Sequence, residues 1–547
     1  MNPTIDTRIL SSLEKVFLDN APAERPLTLQ GFRNEIISFQ LAFRQDIPGQ
    51  HEVQLQLDSP LSRFVQLRRV QQVPVQMAMY DDCTDPLLQD GHPGLYPDLL
   101  TELKPHALKS SRQWSCIWVD VFAEDESLSG VFPLTLQLLD EQGMLLAERV
   151  VHIELLPASL PPQRLLLTRW FHCDCIAQHY GVEAFSEAHW TLIERFLRTA
   201  VRHGMNMVLT PIHTPPLDTA VGGERLTTQL VDVFLDGSTY HFNMDKLRRW
   251  IKMCKDCGVT HFEPAHLYTQ WGAQHAPKIM ATVNGEYGQL FGWDTPAVCS
   301  AYRTFLAAYI PALRQVFADE GVSDHVRWHI SDEPSDRHLS SYLAARNQVD
   351  DLLQGCVIMD ALSNFSYYQQ GIVNHPVVAT NRVEPFLSAQ TPGLWVYYCC
   401  AQYQQMSNTF IALPSSRNRI LGAQLFRWNA EGFLHWGYNF YNCMYSHYAV
   451  DPHAVTDADC GVPAGDPFQV YPGPDGFPEE SLRLMVTTHA LQDMRALEFL
   501  SSLTSREYVV HLLDTAFGGR LTFSTMAASH DILQLRQRVN QEILTRL

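Results

Sequence analysis

Basic residues are scarce in this chain. Lys and Arg number 40 against 59 Asp and Glu, for a formal net charge of −19, and no segment gathers the cations into a stripe. Nucleic-acid binders concentrate Lys and Arg to displace phosphate counterions, so the balance argues against a nucleic-acid partner. Long apolar runs are also missing: no segment approaches the ~18 uninterrupted apolar residues of a membrane span, and no membrane partner is expected. The opening stretch MNPTIDTRILSSLEKVFLDN carries Asp6, Glu14 and Asp19 and no apolar run of signal-peptide length, which gives a cytoplasmic expectation. The 12 cysteines follow no framework spacing and read as reduced thiols rather than a disulfide scaffold. Cys254 and Cys257 have C-x-x-C spacing but fall in a helical pattern without a second pair. Cys173 and Cys175, beside His172 and Asp174, are a somewhat better metal candidate, yet their spacing is unconvincing. Neither metal nor cofactor is expected.

What is present describes a large globular protein. A chain of 547 residues, 46% hydrophobic and 18% charged, is too long for one core and calls for two or three domains. Up to about residue 160 the apolar residues alternate with the period of strands, in ISFQLAFRQD, HEVQLQLDS, SCIWVDVFAE, VFPLTLQLLD and LLAERVVHIELLP. Turn-rich stretches such as DGHPGLYPD separate them, so residues 1–160 are expected to form an antiparallel β-sandwich. The proline-rich PASLPPQ, 157–163, then reads as a linker.

Residues 164–500 change to short apolar strands alternating with amphipathic helices. Candidate strands are LLLTRWFHCD, MNMVLTPIH, THFEPAHLY, VRWHISDEP, CVIMDALSN, PVVATN, LWVYYCC and RILGAQLFRW, the number a (β/α)8 TIM-type barrel needs. Between the first two, Ser186 is a plausible N-cap, Trp190, Ile193, Phe196, Leu197 and Ala200 make an apolar stripe, and Gly204 ends the helix. NMDKLRRWIKMCKDCG repeats the pattern. Residues 501–547 form a short extension that ends in an amphipathic helix, HDILQLRQRVNQEILTRL.

The strand ends carry residues a core would not choose: His172 and Asp174, His213, Glu263 and His266, Asp332 and Glu333, Asn364, Asn381 and Glu384, Tyr397 and Tyr398, Trp428 and Asn429. In such a barrel the carboxyl ends of the strands hold the active site. The stretches 213–232 and 268–293 are long for mere connections. The second displays Trp271, Tyr287, Phe291 and Trp293, aromatics suited to stacking on sugar rings.

Asp332 and Glu333, in RWHISDEPSD, are the sharpest feature. Adjacent Cα atoms lie about 3.8 Å apart, so at a strand end both side chains reach one cavity and cannot both ionise freely. One protonated acid and one carboxylate suit glycoside hydrolysis. Neighbours poorly span the ~5–5.5 Å between nucleophile and acid in ordinary retaining enzymes. They fit substrate assistance better, where the substrate's own 2-acetamido oxygen attacks. The plain alternative is that Asp332 caps a helix and Glu333 is solvated.

HISDEP, together with WFHCDC, PIHTPPLDTAVGGERLTTQLV, HLYTQWGAQHAPKI, GFLHWGYNFY, and the N-terminal GLYPDLL and SFQLAF, resembles proteins of the domain of unknown function 4091, a group similar to glycoside hydrolase family 123. The likeness runs to about residue 500 and departs at SLRLMVTTHALQDMRALEFL, which keeps Arg483 and Asp493 but few of the group's acids. The resemblance implies a retaining exo-β-N-acetylgalactosaminidase acting on an oligosaccharide or glycoconjugate. Asp332 then matches the acetamide-polarising aspartate and Glu333 the general acid/base. His213, Asp218, Arg225, Trp271, Tyr398, Trp428 and Trp436 are candidate sugar contacts. Two alternatives stay open: a hydrolase of another sugar, with Glu263 or Glu384 opposite Glu333, and a non-catalytic carbohydrate-binding protein. A homo-oligomer is compatible with either.

Overall fold

The computed structural model describes residues 5–547 except 90, 104–106, 126 and 335. Its N-terminal region holds two sheets. One is seven-stranded, in the order Ile5–Ser11, Ile36–Gln45, Ser115–Phe122, Val65–Val75, Gly94–Glu102, Pro478–Ser481, Val470–Pro472. The other is five-stranded, in the order Leu29–Phe32, Leu145–Leu156, Gly130–Leu139, His51–Asp58, Ala107–Ser110. Alternate residues point from both into one core: Phe39, Leu41 and Phe43 from the first meet Leu134, Leu136 and Leu138 from the second, all at most 1% exposed.

Two expectations for this region change. The turn-rich DGHPGLYPD contains the start of a strand, Gly94–Glu102, paired antiparallel with Val65–Val75; Pro97 is tolerated because the register shifts beside it, between Gln71 and Gln72. The pairing is also not purely antiparallel, since Leu145–Leu156 runs parallel to Leu29–Phe32.

The second region is an eight-stranded parallel sheet rolled into a nearly closed barrel. Its strands are β1 (Leu166–Arg169), β2 (Met207–Thr210), β3 (His261–Pro264), β4 (Arg327–Trp328), β5 (Val357–Ala361), β6 (His375–Ala379), β7 (Trp395–Tyr397) and β8 (Gly432–His435). The sheet order is β3-β2-β1-β8-β7-β6-β5-β4, and a single parallel bridge, Phe262 to Val326, joins the two ends. The helix after β1, Glu187–Arg202, begins at Ser186, whose Oγ accepts the His189 amide, and buries Trp190, Ile193, Phe196, Leu197 and Ala200. Gly204, φ 91°, lets the chain turn back toward β2.

The eighth strand is not RILGAQLFRW. That stretch is helical, as Ser415–Arg419 and Leu421–Trp428, and the strand follows it at Gly432–His435. Leu421, Leu425 and Phe426 are buried in one apolar cluster, and Gly422 brings its backbone hard against helix Leu482–Leu503: a Cβ there would stand 1.8 Å from the Ala490 carbonyl oxygen. Tertiary packing overrides the β-like composition. The long connections also differ from expectation, for they carry a four-stranded sheet made by Asp232–Asp236, Thr239–Asn243, Ile279–Val283 and Glu286–Phe291. After Leu482–Leu503 come helices Arg506–Ala516 and Ser529–Leu544. Among the described residues no helix is long and apolar enough to cross a membrane.

Candidate active site

A cavity of about 150 Å³ opens at the carboxyl ends of the barrel strands. A dry cavity of about that size accepts a benzene-sized ring. Trp170 comes from just past β1, Asp218 from the connection after β2, and Gln270 and Trp271 from the one after β3. Asp332 and Glu333 follow β4, Tyr397 ends β7, and Leu434 and Trp436 come from β8 and the residue beyond it. A larger hollow of about 390 Å³ lies between N-terminal strands and helix Ser529–Leu544 and shares no residue with this one.

The cavity wall holds backbone strain. Asp218, Trp271, Glu333, Tyr445 and Ala458 line it with φ of 39°, 56°, 42°, 63° and 53°. Each such non-glycine residue costs about 1–3 kcal/mol, and strain of this kind gathers at functional sites. Two cross-loop bonds hold the carboxylate pair: the Trp271 amide donates to the Asp332 carbonyl at 2.9 Å, and the Tyr397 hydroxyl donates to Glu333 Oε1 at 2.5 Å.

Part of each acid faces the cavity while protein crowds it elsewhere. Burial pushes the Asp332 carboxyl well above the usual range, and the neighbouring Glu333 charge adds to it; His329 pulls the other way, while Asp360 and Asp218 add more upward push. Burial also raises Glu333, against the Tyr397 hydrogen bond. Asp218 is pushed up to about 6 by burial, with Arg225 opposing. Its Oδ2 accepts the Tyr445 amide at 3.1 Å.

A polar layer lies under this floor. Glu263 Oε2 accepts from Trp170 Nε1 at 3.2 Å and from His329 Nε2 at 3.1 Å. His329 Nδ1 stands 3.7 Å from Asp360 Oδ1, and Asp360 accepts from the Ile330 amide at 2.9 Å and the Tyr342 hydroxyl at 2.5 Å. Beside it, Asp466 Oδ2 accepts from Trp436 Nε1 at 2.8 Å and the Cys400 amide at 3.0 Å, fixing that indole against the cavity.

Comparison with known proteins places this architecture. The family model for the glycoside hydrolase 123 catalytic domain matches residues 170–500. The chain belongs to glycoside hydrolase family 123. A family 123 glycoside hydrolase from Clostridium perfringens, described for its hydrolysis of glycolipid glycans, superposes with a TM-score of 0.74 at 12% identity, over 99% of this chain and 98% of that one. A Parabacteroides merdae β-glucuronidase matches at a TM-score of 0.30 and 9% identity, over 90% of this chain and 52% of that one. No curated protein sequence matches the chain.

In this family 123 hydrolase the sequence-expected residues divide. Asp332, Glu333, Asp218, Trp271 and Trp436 come together around the cavity. His213 is buried beneath, its Nε2–H donating to the His266 carbonyl at 2.9 Å, and burial lowers it to about 4. Arg225 is buried too, its Nε and Nη2 donating to the two Asp174 carboxylate oxygens at 2.8 Å and its Nη1 to the Leu217 carbonyl at 3.0 Å. It shapes the loop that presents Asp218 and has no cavity face. Tyr398 turns outward from β7 and packs on Phe433 and His435, because the two-residue period of the strand sends Tyr397 inward instead. Trp428 ends helix Leu421–Trp428, with the Arg427 and Arg520 guanidinium groups on its ring and Nε1 donating to the Leu521 carbonyl.

Other expected groups are engaged elsewhere. Glu384 pairs with Arg520 at 2.9 Å, and Glu263 lies in the buried layer, so neither faces Glu333 across the cavity. Phe291 is in the core, Trp293 donates to the Gly223 carbonyl, and Tyr287 is exposed away from the cavity. His172 Nε2–H donates to the Trp436 carbonyl at 2.9 Å, and Cys173 and Cys175 are buried thiols raised to about 12 and beyond by burial. Cys254 and Cys257 are buried on helix Asp245–Cys257. Among the described residues no cluster of three or more His, Cys, Asp or Glu is arranged to hold a metal ion. Trp170, Gln270 and Tyr445 line the cavity without having been singled out. Strand period could have found Trp170; Tyr445 lies on an irregular loop with no period to read.

Proposed function

We propose that this glycoside hydrolase is a retaining exo-β-N-acetylgalactosaminidase working by substrate assistance on terminal β-linked sugars of an oligosaccharide or glycoconjugate. The observation that carries the reading is the adjacent pair Asp332 and Glu333 facing one small cavity, with the Tyr397 hydroxyl on Glu333 alone. Asp332 holds the substrate's acetamide N–H and polarises the group, and the acetamide oxygen attacks the anomeric carbon. Glu333 gives its proton to the departing oxygen as that bond breaks. Glu333, now a base, takes a proton from water, which opens the oxazolinium from the opposite side, so two inversions return the original configuration. The indoles of Trp170, Trp271 and Trp436 support the reading as walls for one sugar ring. For the scaffold we propose a β-sandwich over 1–160, a (β/α)8 catalytic barrel over 164–500 and a helical extension over 501–547.

A second reading is favoured by one observation: Asp218 is another carboxylate on the same cavity. In an ordinary two-carboxylate mechanism it would be the nucleophile. A panel of p-nitrophenyl glycosides tests the substrate, and a GalNAc-thiazoline tests the mechanism. The thiazoline should inhibit the wild type far better than N-acetylgalactosamine and lose most of that advantage in Asp332→Asn. A 2-fluoro sugar found covalently attached to Asp218 would replace substrate assistance with the two-carboxylate mechanism.

A further inference from the structure

Three consecutive barrel strands send ionisable side chains into the space below the cavity: Glu263 from β3, His329 just past β4 and Asp360 from β5. All are at most 1% exposed. Two buried carboxylates so close together are costly unless a cation lies between them. Glu263 and Asp360 are met by Trp170, the Ile330 amide, Tyr342 and His329, none of them Lys or Arg. His266 stacks on the His329 ring at 4.4 Å and 27°, but burial and the neighbouring imidazoles drive it well below the usual histidine range, and His213 is likewise neutral. Arg346, on the helix that carries Tyr342, acts on Asp360 from outside the layer; among the described residues that contact both Glu263 and Asp360, His329 is the one that can carry a positive charge. Burial alone would lower it, but the Asp360 carboxylate 3.7 Å from Nδ1 and the Glu263 carboxylate bonded to Nε2 prevail and raise it to about 9.

The catalytic pair supplies the other half of the argument. Glu333 beside it, Asp360 from below and Asp218 from the connection after β2 all act to protonate Asp332. Among the largest charge effects on it, that of His329 favours the ionised form while those of Glu333, Asp360 and Asp218 oppose it. A neutral Asp332 could still accept the acetamide N–H, but only the ionised form offsets the positive charge that develops as the oxazolinium forms.

We infer that His329 is a positioning residue for catalysis: an imidazolium between Glu263 and Asp360, beneath the cavity floor, whose charge allows Asp332 to ionise beside Glu333 and Asp218. Its consequence for activity rests on the substrate-assisted reading; its consequence for Asp332 does not. Glu263 acts one step further back, by keeping the proton on His329 while also fixing the Trp170 indole.

The test separates these levels. In wild-type protein labelled with 15N-histidine, the resonance lost in His329→Gln should remain that of an imidazolium at pH 8 and titrate near 9. In protein labelled with 13C-carboxyl aspartate, the resonance lost in Asp332→Asn should titrate about one pH unit higher in His329→Gln, where the counter-charge is gone. Glu263→Gln should move it the same way, although Glu263 touches neither Asp332 nor Glu333; a purely structural His329 gives no such shift. In the glycosidase assay the acid limb of kcat/KM should move upward with it, with kcat about tenfold lower on that limb and KM little changed. A neutral His329 at pH 7 in the wild type overturns the inference without any variant, as does an unmoved Asp332 resonance in folded His329→Gln or Glu263→Gln. If the resonances move while every sugar of the panel is inert, the proposed activity falls and the charge arrangement stands.

Discussion

Tyr397→Phe isolates the bond that distinguishes Glu333 from its neighbour. The phenol donates to Glu333 Oε1 at 2.5 Å and stabilises the ionised form, opposing burial. A hydrogen bond to a charged group is worth about 1.5–3 kcal/mol, and one pKa unit is about 1.36 kcal/mol. Deleting the hydroxyl should therefore raise the Glu333 carboxyl by roughly one to two units. The sign follows from its role: the protonated form is the active acid, so activity is lost as pH rises through this value, and a higher value carries the alkaline limb of kcat/KM upward. The acid is also weaker, so kcat should fall on substrates with poor leaving groups. The assay is kcat/KM for an aryl β-GalNAc glycoside from pH 4 to 10, wild type against Tyr397→Phe, with circular dichroism to check the fold. An alkaline limb that stays in place, or moves down, refutes the assignment of Glu333 as the acid held by Tyr397.

Two more predictions concern the pair itself. Glu333→Gln should lower kcat by orders of magnitude on poor leaving groups and much less on activated aryl glycosides, which need little protonation; equal losses on both would remove the acid role. Both carboxyls titrate above their unfolded values of about 3.9 and 4.3, so their cost to stability is absent at low pH and grows as pH rises toward the folded values. Asp332→Asn and Glu333→Gln should accordingly match the wild type in Tm near pH 3 and exceed it at pH 8, by calorimetry; a wild type that gains on the variants as pH rises would contradict the raised values.

The barrel was legible because its strands and helices have different periods, and the acid pair because two adjacent carboxylates after an apolar run are chemically conspicuous. What failed did so for identifiable reasons. Tyr397 and Tyr398 are the same residue type on one strand, and sequence does not say which faces inward until neighbouring strands fix the pleat. RILGAQLFRW carries strand-like composition, and its close packing on helix Leu482–Leu503 at Gly422 is a tertiary contact the sequence does not display. Arg225 and His213 fall on a loop of family-like sequence, but their partners, Asp174 and the His266 carbonyl, are distant in the chain, and only the fold shows that those partners occupy them. The His329 layer was invisible for the same reason, since Glu263, His329 and Asp360 are brought together by strand pairing alone.

The hairpin Val470–Ser481 reaches back from the far end of the barrel to pair Glu480 and Ser481 with Leu100 and Leu99. During synthesis the N-terminal sheet therefore waits, with the edge of Gly94–Glu102 unpaired, while more than three hundred residues are made. An open edge is a template for pairing with other chains. Arg68 and Arg202 both bind Glu480 on this hairpin, and Arg68 also binds Asp120, so one of the two carboxylates on the buried Arg68 arrives only with the barrel segment. A ribosome-released fragment that stops short of Glu480 would present an unsatisfied edge and an Arg68 paired with Asp120 alone. The last strand to be made thus completes the sheet whose other strands are mostly made first.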